Sequence, residues 1–67
     1  MKGSAAGETA GAKVIAENGT PIEVEEAAAA AAEKAGASTA DAMRIAGAAE
    51  AASIVSHLAH EKLLGVC

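Results

Sequence analysis

The pattern of apolar and polar positions breaks twice along this chain, at Asn18-Gly19 and at Gly36, and both breaks carry residues that stop helices. Between the breaks Ile22 and Val24 are the only larger aliphatic residues, so capping residues and an alanine run rather than aliphatic spacing mark that stretch as helix. Ahead of the first break, Gly3 stands just before the stretch Ser4 to Asn18 and Gly7 and Gly11 lie within it, at a spacing of four. Each glycine costs about 1 kcal/mol relative to alanine inside a helix, so the composition predicts a flexible or weakly structured segment over 1–19. The same series also fits a close-packing helix face of the small-x-x-x-small kind, which is better known from membranes. A third arrangement pairs Lys13-Val14-Ile15-Ala16 with Pro21-Ile22-Glu23-Val24 as a hairpin around Asn18-Gly19. Pro21 stands where the returning strand must begin, and two strands alone are marginal in water, so helix or coil is favoured there.

The second stretch opens on Thr20-Pro21-Ile22-Glu23. Thr20 is suited to cap a helix, Pro21 to its first position, and Glu23 to close a capping box on the Thr20 N–H. Glu25 and Glu26 complement the helix dipole, Ala27 to Ala32 have the highest intrinsic helix propensity, and Gly36 supplies the stop. A helix is predicted over about 21–35. The third stretch repeats the logic, with Ser38 or Thr39 as cap, Asp41 in the first turn and a helix over about 39–64 before Gly65. On it, Met43, Ile54 and Leu58, with small Gly47 and Ala51, fall within about 80° of arc. Val55 widens this stripe, Glu50 and Glu61 border it, and Ile45 and Leu63 point elsewhere. The predicted fold is all-α: a helical hairpin of 20–67, paired through small residues, or a small helical bundle. A flexible N-terminal segment precedes it, and the whole is marginally stable or conditionally folded.

Composition explains the word marginal. Of 67 residues 21 are alanine, only eleven are Val, Ile or Leu, and none is aromatic. Little apolar area is available to offset chain entropy. The net charge of −4 and five dispersed cations exclude the basic stripe that nucleic acid requires. Charges interrupt every apolar run short of the ~20 residues of a membrane span. The N-terminus lacks the apolar stretch of a signal peptide, and a single cysteine fits a reducing compartment, so an intracellular, cytoplasmic protein is expected.

Candidate chemistry is sparse. His57, His60 and Glu61 lie on adjoining helix faces at spacings of three and four. Their order is not His-Glu-x-x-His, and a metal would need further ligands, with Glu50 or Cys67 nearest. Solvated histidines are therefore expected, with no metal and no cofactor. Cys67 lacks the orienting partner of a nucleophile and is a candidate for modification only. Glu23, Glu25 and Glu26 are accounted for by capping and solvation, and no Ser, His and acid arrangement suggests catalysis, so the chain is not expected to be an enzyme.

Gly19-Thr20-Pro21-Ile22, followed by Glu26-Ala27-Ala28-Ala29 and Ala32-Glu33-Lys34-Ala35-Gly36, resembles the repeated unit of the seed maturation protein domain, a late embryogenesis abundant type. Ser38-Thr39-Ala40-Asp41-Ala42-Met43-Arg44-Ile45 resembles a second start of that unit, and the likeness covers about 19–55. The Gly-Gly step and Gln-Ser pairs usual in that family are missing, and the tail from Ile54 is more apolar. The resemblance implies a stress-protective, non-enzymatic protein that gains helix on drying or association. Two other functions fit the residues. One is a helical interaction module whose Met43, Ile54, Val55, Leu58, Leu63 and Leu64 dock on another protein or on a second copy. The other is a ribosomally made precursor peptide modified near Cys67.

Overall fold

A computed structural model of the chain describes residues 1–64, with side chains described for 1–59. Three helices follow one another: α1 (Ser4–Ala16), α2 (Pro21–Lys34) and α3 (Thr39–Leu64), joined by short turns. α2 runs antiparallel to both others, and the three pack as a small bundle.

The turns are built by local chemistry. α1 ends in a Schellman motif, with Asn18 in the left-handed region at φ 63°. Asn18 N–H donates to the Ile15 carbonyl at 3.0 Å and Gly19 N–H to the Val14 carbonyl at 2.9 Å. α2 starts on the predicted capping box: the Glu23 N–H donates to Thr20 Oγ1 at 3.2 Å and the Thr20 N–H to Glu23 Oε1 at 2.8 Å. It ends in a second Schellman motif at Gly36, where φ is 104° and Ala37 N–H donates to the Ala32 carbonyl at 2.9 Å. Ser38 then caps α3, accepting from Asp41 N–H at 3.1 Å. Residues 13–24 therefore form a helix, a turn and the start of the next helix rather than a strand hairpin.

Where a flexible segment is expected from glycine content, the structure has helix α1. Its glycines, with Gly3 at the N-cap, are the packing surface. A Cβ on Gly3 would lie 2.6 Å from the Ala32 carbonyl oxygen. On Gly7 it would strike Ile45 Cγ2 and stand 3.1 Å from the Ala28 carbonyl oxygen, and on Gly11 it would stand 3.0 Å from Ala49 Cβ. Gly3, Gly7 and Gly11 thus step along Ala32, Ala28 and Val24 of the antiparallel α2, while Gly7 and Gly11 also meet α3. Tertiary contact repays the local cost of glycine.

The core is correspondingly small-residued. Val24, Ala28 and Ala32 of α2 are fully buried, with Ala42, Ile45 and Ala46 of α3 beside them. Val24 is the largest side chain that is completely enclosed among the described residues. α3 therefore packs through the face of Ala42, Ile45, Ala46 and Ser53, and its aliphatic stripe lies on the far side.

Two substitutions check this account. Gly7→Ala is expected to lower stability by about 1 kcal/mol in denaturant unfolding, because overpacking against Ile45 outweighs the gain in helix propensity. Thr20→Ala is expected to cost about 1 kcal/mol through loss of the cap.

Candidate functional site

Two surfaces have character beyond that of an ordinary helical exterior. The first is the outward face of α3. Met43 is 68% exposed, Val55 66%, Leu58 59% and Ile54 44%, whereas among the described residues nothing larger than Ile45 is buried in the core. Gly47 and Ala51 lie along the same face and are exposed. At about 100° per residue the face points roughly opposite to the core positions, so no rotation of α3 buries both sets against α1 and α2. The sequence-derived interaction surface is thus brought together at Met43, Ile54, Val55 and Leu58. Leu63 and Leu64 belong to α3, but their side chains lie outside those described.

The second is an open hollow of about 580 Å³ at the α1–α2 turn, lined by Ile15, Asn18, Thr20, Pro21, Ser53, Ser56 and His57 among others. It arises because the Schellman turn at Asn18 and the cap at Thr20 are set against the middle of α3. Ser53 is the one buried polar side chain among the described residues. Hydroxyls, a carboxamide and an imidazole line this hollow, and no carboxylate stands among its described lining residues. The chain pattern did not reveal it, since it exists only once α1 is helical and its C-terminal turn is placed beside α3.

Of the candidate metal ligands, His57 is exposed on α3, while His60, Glu61 and Cys67 lie outside the described side chains. Among the described residues no group of three metal-ligating side chains forms. No described helix is long and apolar enough to cross a membrane.

Because the α3 stripe is solvent-facing, Val55→Glu is expected to change the unfolding free energy of the isolated chain by no more than about 0.5 kcal/mol. A loss of several kcal/mol in denaturant titration would mean that Val55 supports the fold instead. No protein-family model, curated protein or solved structure matches the chain.

Proposed function

We propose that this chain is a non-enzymatic helical interaction module that docks on protein through the outward face of α3. The observation that carries the reading is the inversion of burial. Alanine and glycine fill the interior, while Met43, Ile54, Val55 and Leu58 stand in solvent on one continuous helix face. Single exposed aliphatic residues are ordinary, but a row of four on one face is the form in which amphipathic helices meet partners. Site-specific photo-crosslinking in extract of the native host tests it. A photoreactive residue at Val55 is expected to give protein adducts, and one at exposed Glu33 of α2 is not. Equal labelling from both positions, or none from Val55, contradicts the proposal.

A second reading has its own support. Among the described residues the buried hydrophobic core apart from Val24 and Ile45 is alanine, so the free energy of folding in water is small. This suits the stress-protective role implied by the resemblance to late embryogenesis abundant proteins. In that role helix forms as water is withdrawn and competition for backbone hydrogen bonds falls. Amide infrared bands are then expected to shift toward helix on drying, and bands unchanged between solution and dried film would contradict this reading.

A further inference from the structure

We infer that the occupant of the outward α3 face is a second copy of this chain, whose α3 lies parallel to the first and meets it closely at Gly47. The inference rests on the interaction-module reading and names the partner of the same face. Its starting point is a glycine that the chain itself does not explain. Gly3, Gly7, Gly11 and Gly19 each have a neighbour where a Cβ would stand, and Gly36 occupies a positive-φ turn. Gly47 sits inside α3, exposed, with no described neighbour within 4 Å of a Cβ placed there. A glycine in a helix interior weakens the helix, and here no contact with another described residue compensates.

Its position supplies a reason. Gly47 lies on the aliphatic face, one turn from Met43 and one turn from Ala51, with Ile54 and Leu58 following. That is the arrangement by which Gly7 and Gly11 admit α2 and α3 into contact with α1. A Gly47-x-x-x-Ala51 notch between larger side chains lets a second helix backbone approach in the same way.

Charge selects the partner and its direction. Arg44 and Glu50 flank the notch, about 60° to either side of Gly47. Neither forms an ion pair with another described residue. A two-fold axis parallel to α3 sets one edge of the face against the opposite edge of the other copy. Arg44 of each copy then meets Glu50 of the other, offset by about 9 Å along the axis, a span that two long side chains cover. An antiparallel pair instead places Arg44 beside Arg44 and Glu50 beside Glu50. The parallel contact is isologous and closes at two copies. With four aliphatic side chains per copy on a single helix, the interface is at the small end for protein pairs, and the pairing is reversible and concentration-dependent.

Sedimentation velocity of the full chain over a roughly hundredfold concentration range around the micromolar region tests the inference. The chain is expected to pass from monomer to dimer. Gly47→Ala is expected to move two readouts in opposite directions, raising the thermal midpoint of the dilute monomer while weakening dimerisation by about tenfold. Arg44→Glu is expected to weaken dimerisation, and adding Glu50→Arg to restore it. A chain that stays monomeric, a Gly47→Ala variant that dimerises as well as the parent, or a charge swap that fails to restore the dimer would each overturn self-pairing. A monomeric chain whose Val55 still crosslinks to another protein overturns self-pairing alone. Loss of both signals removes the interaction module with it.

Discussion

The close approach of α1 to its two neighbours at Gly7 and Gly11 is the constraint on which the rest of the bundle depends. At Gly7 only a hydrogen atom fits where a side chain would stand, at Gly11 an added methyl would crowd Ala49, and the facing positions must be small as well. Ala28, Ala32 and Ala49 satisfy that requirement, with Val24 and Ile45 filling what remains. The gain comes from many short backbone and methyl contacts rather than from the burial of large side chains. Once the interior is set by these distances, Met43, Ile54, Val55 and Leu58 have no room inside and stand on the far side of α3.

The boundaries of the helices were legible in the chain because they are decided within a few residues. Thr20 and Glu23 form their reciprocal cap, Ser38 caps α3, and Asn18 and Gly36 take the left-handed conformations that end α1 and α2. α1 itself was not legible as a stable helix. The penalty of Gly7 and Gly11 is local and visible, whereas the compensation lies on Ala28, Ile45 and Ala49, far away in sequence. The spacing marks the stripe on α3 as one helix face, and Met43, Ile54, Val55 and Leu58 of it are exposed. Its direction was not fixed by spacing, since periodicity marks a face without saying whether a core or a partner covers it. The hollow beside Asn18 and Ser53 escaped for the same reason as α1, being made by elements that meet only in the folded chain.

The two proposed roles share one physical root. An interior of alanine and glycine gives little stability alone, so any process that adds contacts or removes water shifts the chain toward helix. Docking at the α3 face adds contacts to the helix that spans the whole bundle and runs on past the α1–α2 turn. Withdrawal of water strengthens every backbone hydrogen bond. Both readings shift the folding equilibrium, one through association and the other through withdrawal of water.

The central claim is that glycine makes α1 part of the packed bundle. Amide hydrogen exchange, followed residue by residue in dilute solution, tests it most directly. The account predicts that the α1 amides from Glu8 to Ala16 share the protection of Val24 to Ala32 and are lost together with them in a single opening. Amides of α1 that exchange at the rate of an unstructured peptide, while α2 and α3 stay protected, would contradict it.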